Sequence, residues 1–162
     1  MSTTFSTKTV ELPASITRAQ IVSVAREWIV TPYFHQASQK GAGTDCLGLV
    51  RGVWRTLYGG EPETPPAYTS DWAERHWNRW SDKDPLLEAA RRHLIERRVM
   101  LPEPGDVLIF RIRQAGPAKH CAILTEEERI IHAYAGHNVV ETWLSRWWQS
   151  RLVGIYAFPG VK

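Results

Sequence analysis

Three residues of this chain have the side chains that nucleophilic catalysis requires: Cys46, His120 and His132. A nucleophilic thiol needs a base within hydrogen-bond reach and a third group that orients the base. His120 and His132 are twelve residues apart, on either side of a charged turn at 125–128. If this turn joins two paired strands, the histidines lie close to opposite each other, with the register open by about two residues. The spacing therefore predicts two neighbouring imidazoles on one sheet face, with Cys46 packed above them.

Cys46 comes directly after the turn-forming residues Gly43-Thr44-Asp45 and directly before a periodic apolar segment. Apolar residues then recur at steps of three and four, up to a glycine pair at 59–60, which predicts an amphipathic helix and its end. In the first turn of a helix, free N–H groups and the helix dipole favour a thiolate. Asp45 is expected to cap that helix with its carboxylate. A buried structural cysteine is the alternative for Cys46 when its position is considered alone.

Zinc binding is a competing interpretation of the same region, because His120, Cys121, His132 and His137 are ligand types that zinc accepts. However, no Cys-x-x-Cys or His-x-x-x-His spacing occurs. Neighbouring positions 120 and 121 also point to opposite faces of a strand. We therefore expect no metal site and no cofactor, and we interpret Cys121 as a small core residue. Either histidine could equally be a structural residue of a half-buried strand.

The remaining elements follow from capping, proline and periodicity signals. Thr17-Arg18-Ala19-Gln20 is a capping box that predicts a helix ending at Thr31-Pro32-Tyr33. Residues 61–67 are proline-rich and predict a loop, whereas 69–99 predict two helices. The second half predicts short strands at 107–110, 120–124, 129–134, 139–141 and 153–158, with a short helical piece within 143–151. Helices followed by an antiparallel meander predict an α+β fold in which a helix packs on a sheet.

Length and composition limit the classes of protein to consider. The chain has 162 residues, enough for one domain with a substantial core. Its net charge of +3, without a lysine or arginine block, does not indicate nucleic-acid binding. Two cysteines cannot form a disulfide framework, and no apolar run reaches the roughly 18 residues of a membrane span. We expect an N-terminal arm at 1–14 without a signal peptide, and a domain at 15–162 made in the cytoplasm.

Several motifs, taken in order, resemble the NlpC-type cell-wall cysteine peptidases, a papain-like superfamily of bacterial and phage peptidoglycan hydrolases. The resemblance covers roughly residues 17–158, and the helical insertion at 61–100 is its least family-like part. The motifs are Thr31-Pro32-Tyr33, Asp45-Cys46-Leu47-Gly48-Leu49-Val50, Pro104-Gly105-Asp106-Val107, His120-Cys121-Ala122-Ile123 and Ile131-His132-Ala133.

The resemblance implies a papain-like cysteine peptidase fold and a role for each motif residue. Cys46 would be the nucleophile, His120 the general base and later acid, and His132 the residue that orients His120. Tyr33 would place its hydroxyl near the oxyanion, beside the backbone N–H of Cys46. The implied substrate is the stem peptide of peptidoglycan, usually cut between D-glutamate and diaminopimelate or lysine.

The chain departs from the family pattern in two places, and one segment resembles a particular branch of the family. Leu47 replaces the usual small serine after the nucleophile, and the 61–100 insertion is longer than in the minimal family. Together with the missing signal peptide, the segment from Leu47 to Trp54 is most similar to members from phages and gene-transfer agents. We therefore expect phage-like tail proteins as partners and action on the bacterial cell wall at DNA entry. Six tryptophans are candidates for contact with tail partners or glycan, or for core packing: Trp72, Trp77, Trp80, Trp143, Trp147 and Trp148.

Two alternatives remain open from the sequence. An inactive tail or assembly subunit could retain the fold without the chemistry, although the retention of Cys46, His120 and His132 together argues against it. Thioesterase or acyltransferase chemistry on the same papain-like site is the other alternative, because the same three residues would serve it.

Overall fold

The structure is a computed structural model that describes residues 15–77 and 84–162. The predicted arm at 1–14 and Trp80 of the insertion lie outside the described residues. Within the described part, no helix is both long enough and apolar enough to cross a lipid bilayer.

Two helices carry the packing around the predicted nucleophile. The first begins after Thr17, whose side chain accepts the N–H of Gln20 in a complete capping box. The second begins at Cys46, is capped by Asp45, and ends at Gly59, which has the positive φ of 78° that favours glycine. The predicted nucleophile helix is therefore confirmed at both ends. The helices of the described part are α1 (Arg18–Arg26), α2 (Cys46–Tyr58), α3 (Trp72–His76), α4 (Pro85–His93) and α5 (Arg146–Gln149).

The strands form a small hairpin and an antiparallel sheet. The hairpin pairs β1 (Ser38–Gln39) with β2 (Gly43–Thr44) just before α2. The sheet has the strand order β3-β8-β4-β5-β6-β7, and its predicted central strands at 107–110 and 120–124 are confirmed. Its strands are β3 (Ile95–Glu96), β4 (Val107–Phe110), β5 (His120–Leu124), β6 (Arg129–His132), β7 (Val140–Trp143) and β8 (Leu152–Ala157).

The two faces of the sheet bury different sets of side chains. One face packs against α1, α2 and α4, with Leu49 and Val53 of α2 fully buried against Cys121 and Ile123 of β5. The other face buries Ala122, Leu124 and their neighbours under the segment around α5. The α+β fold with a helix packed on an antiparallel sheet is thus confirmed.

Three predicted helix ends were wrong. The first helix ends at Arg26 rather than near Thr31, because the chain tightens into i→i−3 hydrogen bonds and then turns at Val30, which has a φ of 68°. The helix that begins at Trp72 stops at His76, so Trp77 is its C-cap. The sequence predicts a helix that includes Ile95, but Ile95 lies in the edge strand β3 and pairs with Ala157 of β8. Pairing with β8 outweighs local helix propensity there.

Gly52→Ala should destabilise the fold, because a Cβ at this position would lie only 1.9 Å from the ring of Trp28. Trp28 is 3% exposed and is held in the core, so its ring has no room to move aside. We expect the free energy of unfolding, measured by denaturant titration, to fall by about 1–3 kcal/mol despite the better helix propensity of alanine. Gly60→Ala is the control, since nothing lies within 4 Å of its Cβ position. Equal stability of the two variants would contradict the close packing of Trp28 on α2.

Candidate active site

The thiol of Cys46 is held at the first turn of α2 by its neighbour Asp45. Oδ1 of Asp45 accepts the N–H of Gly48 at 2.7 Å, and its backbone carbonyl accepts the N–H of Leu49 at 3.0 Å. This is the N-cap that the sequence predicts, and it fixes the direction in which α2 starts. Cys46 is half-buried, and its Sγ lies 3.9 Å from the carbonyl oxygen of Lys119. The sulfur therefore lies beside the first residue of β5.

The two predicted histidines are neighbours. Ile123 pairs with Ile131, so His132 faces position 122, two residues from His120. This offset lies within the predicted margin, and the diagonal is short enough for the rings to meet. Nε2 of His120 and Nδ1 of His132 are 3.0 Å apart, and Nε2 of His132 lies 2.9 Å from Oγ1 of Thr142 on β7. The two rings and the hydroxyl of Thr142 form a hydrogen-bonded chain that runs across β5, β6 and β7.

The position of α2 relative to the histidines differs from the prediction. The helix packs on the sheet face that carries Cys121 and Ile123, whereas the two imidazoles lie on the opposite face, with Phe110 and Trp148. The predicted arrangement, with Cys46 above the histidines on one face, was therefore wrong. The sulfur reaches His120 around the end of β5, because His120 is the first residue of that strand.

Burial decides the charge of His132. Its side chain is 1% exposed, and this burial, together with the positive charges of His120 and His137, lowers its pKa to about 3. A neutral His132 has one N–H and one acceptor nitrogen. When His120 is protonated on both nitrogens, its Nε2–H must donate to Nδ1 of His132. The N–H of His132 is then on Nε2 and donates to Thr142.

The pKa of the Cys46 thiol is well below its usual value. The largest cause is a hydrogen bond from the thiol of Cys121, and hydrogen bonding and charge from His120 act in the same direction against the cost of burial. The same interaction raises the pKa of Cys121, so Cys121 stays a thiol and donates. Cys121 is thus buried in the core, as predicted, and also contacts the nucleophile, which sequence analysis missed.

Trp148 is a second neighbour that sequence analysis did not assign to the site. Its ring stacks on the imidazole of His120 with centroids 5.0 Å apart, and it meets His132 edge-on at 5.2 Å. Trp148 is half-buried, whereas Trp143 and Trp147 are 59% and 47% exposed. The nearest sequence signal was the cluster of tryptophans in 143–151, but nothing in its spacing showed which one would reach a histidine.

Tyr33 is close to the nucleophile through the backbone. It forms an isolated parallel bridge with Thr44, directly before Asp45. Burial raises the pKa of Tyr33, and the negative charges of Asp45 and Cys46 raise it further. Its hydroxyl therefore remains protonated and able to donate a hydrogen bond.

Leu47, which departs from the expected serine, faces away from the histidines. It lines an apolar cavity of about 150 Å³ between α2, the 61–68 loop and α4, together with Tyr68 and Cys121. The 61–68 loop and α4 thus provide apolar surroundings for the larger side chain. Among the described residues, no cluster of three histidine, cysteine, aspartate or glutamate side chains is arranged to hold a metal ion.

This arrangement, a cysteine that begins a helix packed on an antiparallel sheet with the histidines on adjacent strands, is the papain-like cysteine peptidase fold. The family model for the NlpC/P60 family matches residues 30–157. The chain therefore belongs to the NlpC/P60 family.

Two solved structures share the fold. The NlpC/p60 domain of the peptidoglycan hydrolase SagA has a TM-score of 0.57 and 22% identity, covering 88% of this chain and 100% of that chain. An NlpC/P60 family protein from Bacillus cereus has a TM-score of 0.64 and 16% identity, covering 92% of this chain and 42% of that chain. A gamma-DL-glutamyl hydrolase of Bacillus subtilis is 27% identical over 142 residues, which are 87% of this chain but only 29% of that protein.

The imidazole of His132 should remain neutral between about pH 5 and 8, where an ordinary histidine titrates. The unfolded chain binds a proton at His132 below its ordinary pKa of 6.5, whereas the folded chain does not until about 3. The free energy of unfolding should therefore fall as the pH drops from about 6.5 towards 3, by about 1.4 kcal/mol per pH unit from this group. An NMR titration of the ring protons tests the neutrality directly.

His132→Asn is the matched variant for the stability measurement, because asparagine can still hydrogen-bond but does not titrate. Between pH 7 and pH 5 its free energy of unfolding should fall less than that of the wild type. The difference should be roughly the contribution of the one proton that His132 binds in the unfolded wild type. A ring titration with an ordinary midpoint would contradict the assignment.

Proposed function

We propose that this protein is a cysteine peptidase that cleaves the stem peptides of peptidoglycan, with Cys46, His120 and His132 as its catalytic residues. The observation that carries the proposal is the position of the Cys46 thiol, which lies at a helix start and beside the residue before His120, next to a hydrogen-bonded pair of histidines. These groups come from α2, β5 and β6, so their meeting depends on the whole fold.

In the proposed mechanism the thiolate of Cys46 attacks the carbonyl carbon of the scissile amide. A C–S bond forms, and the carbonyl electron pair moves onto oxygen to give a tetrahedral oxyanion. His120 then gives its proton to the amide nitrogen as the C–N bond breaks, which leaves a thioester on Cys46. A water molecule attacks the thioester, gives its proton to His120, and the thiolate leaves.

The surroundings of His120 suit both proton transfers. His132 accepts from Nε2 of His120 and holds the ring, which leaves Nδ1 free for the thiol and the leaving group. Trp148 packs on the ring face and restricts its rotation. Because His132 stays neutral, its lone pair stabilises the imidazolium form of His120 without adding a second positive charge.

Tyr33 and Asp45 are the proposed residues of the oxyanion and substrate side. The oxyanion would form beside the backbone N–H of Cys46 at the start of α2, where the helix dipole favours negative charge. Tyr33, protonated and adjacent to the same backbone, is the proposed additional donor. Asp45 supports this region through its cap on Gly48.

Relatives support the substrate class. The Bacillus subtilis relative is named as a hydrolase of gamma-DL-glutamyl bonds, and SagA as a peptidoglycan hydrolase. We infer that the bond cut here is D-glutamyl–diaminopimelate or an equivalent. For the setting, we propose a phage or gene-transfer-agent tail that carries the protein to the cell wall, as the motif from Leu47 to Trp54 suggests.

Thioester hydrolysis or acyl transfer is the second candidate function. The observation in its favour is the apolar cavity beside Leu47 and Cys121, next to the nucleophile. An aliphatic acyl group could occupy such a cavity more readily than the charged stem peptide.

The Cys46→Ala variant should release no stem-peptide fragments from purified murein sacculi, because no other described nucleophile contacts His120. His120→Ala should behave the same way, whereas His93→Ala, on α4, should cleave like the wild type. The wild-type rate should be bell-shaped in pH, bounded by formation of the thiolate and loss of the imidazolium. Mass spectrometry of the released peptides measures the activity.

Equal fragment release by wild type and Cys46→Ala would refute the peptidase proposal. Hydrolysis of acyl thioesters by the wild type, without any cleavage of sacculi, would favour the second candidate function.

The tail role predicts a separation between assembly and infection. Particles that carry Cys46→Ala should form in normal numbers but deliver DNA poorly, because the fold is kept and the thiol is lost. Counting particles by electron microscopy and DNA delivery by transduction measures the two steps. Normal delivery by the variant particles, or absence of the protein from purified particles, would contradict the tail role.

A further inference from the structure

The proline-rich loop that follows α2 returns to the nucleophile through one side chain, Tyr68. Its hydroxyl donates a hydrogen bond to Oδ2 of Asp45. The same carboxylate caps α2 through Gly48, and its Oδ2 also accepts the backbone N–H of Gln36 at 2.8 Å. One buried carboxylate beside Cys46 thus joins the turn at Gln36, the start of α2 and the loop that carries Tyr68.

The position of the Tyr68 ring does not depend on its hydroxyl. The side-chain amide of Gln36 donates to the carbonyl oxygen of Tyr68, and Nε2 of His35 lies 2.8 Å from the same oxygen. The rings of His35 and Tyr68 also meet edge to face, with centroids 5.1 Å apart. Removal of the hydroxyl alone should therefore leave the loop in place.

We propose that Tyr68 is a positioning residue for Cys46: its hydroxyl holds the Asp45 carboxylate in the orientation that caps α2 and so fixes the thiol relative to His120. This inference rests on the proposed nucleophilic role of Cys46. It assigns a function to the proline-rich loop at 61–68.

The electrostatics of Asp45 make the role of the hydroxyl measurable. Burial raises the pKa of Asp45 and the charge of Cys46 raises it further, whereas hydrogen bonds from Tyr68, Gly48 and Gln36 lower it. Without the Tyr68 hydroxyl, the pKa of Asp45 should rise, so the cap loses its charge at a higher pH. The titratable groups that face this carboxylate are Cys46 on α2, Tyr33 and His35 before it, Tyr68 on the loop and Cys121 on β5.

Tyr68→Phe is therefore expected to lower kcat about tenfold, the range for loss of a hydrogen bond to a charged group, and to leave KM unchanged. Alkylation of Cys46 by iodoacetamide should slow as well. Protonation of Asp45 should then replace thiolate formation as the limit on the acid side, so the acid limb of both pH profiles should move to higher pH. In an Asp45→Asn background, where the cap does not titrate, Tyr68→Phe should produce no further shift of the acid limb.

Tyr58→Phe is the matched control, because it removes a tyrosine hydroxyl from the other end of the same helix. That hydroxyl donates to the carbonyl oxygen of Pro159 at 2.7 Å, far along α2 from Cys46. The control should lose some stability but keep the wild-type kcat, alkylation rate and pH profile.

Unchanged kcat and alkylation in Tyr68→Phe would overturn the proposal, and so would an effect confined to KM, which would make Tyr68 a wall of the binding site instead. The alkylation readout needs no substrate. If the wild type cleaves no wall peptide but Tyr68→Phe still slows alkylation, the proposed function fails and the positioning role stands. If the wild type cleaves sacculi and Tyr68→Phe matches it in every readout, the positioning role alone fails.

Discussion

The hydrogen bonding of the buried Asp45 carboxylate is the constraint on which the site depends. A buried charge costs several kcal/mol unless hydrogen bonds compensate it. Asp45 finds its donors where α2 begins, where the preceding segment turns at Gln36, and where the loop returns at Tyr68. These three segments must therefore meet at one point for the carboxylate to be buried. Cys46 is the next residue, so the requirement that stabilises this corner of the fold also sets the position of the thiol.

A second buried polar group, the pair of histidines, obeys the same rule in a different way. Two imidazoles whose nitrogens are 3.0 Å apart cannot both carry a charge at neutral pH. His132 is the more deeply buried and stays neutral, with Thr142 accepting its N–H. Any positive charge therefore resides on His120, at the end of β5 nearest Cys46. The deeper burial of His132 thus leaves the positive charge to the histidine nearer Cys46, which is the arrangement that the proposed mechanism uses.

Local signals in the sequence were sufficient for the elements that carry the site, but not for the contacts between distant elements. The cap at Asp45, the periodicity after it and the strand at 120–124 predicted α2 and β5 correctly. The spacing of the histidines predicted their contact to within two residues, because a hairpin allows few registers. The contacts of Trp148, Tyr68 and Thr142 depend on tertiary packing that no periodicity encodes. The wrong placement of α2 above the histidines has the same origin.

The opposite placement of α2 and the histidines has a consequence for how a substrate can approach. Cys46 approaches His120 around the end of β5, so in the proposed mechanism the scissile bond lies across the strand ends rather than on either sheet face. Two segments border that end. The 61–68 loop, with Tyr68, lies on the side of the thiol, and α5, with Trp148, lies on the side of the histidines. Neither segment belongs to the motifs that define the resemblance to the family. We infer that the chemistry depends on the shared motifs, whereas the shape offered to the substrate depends on these two segments.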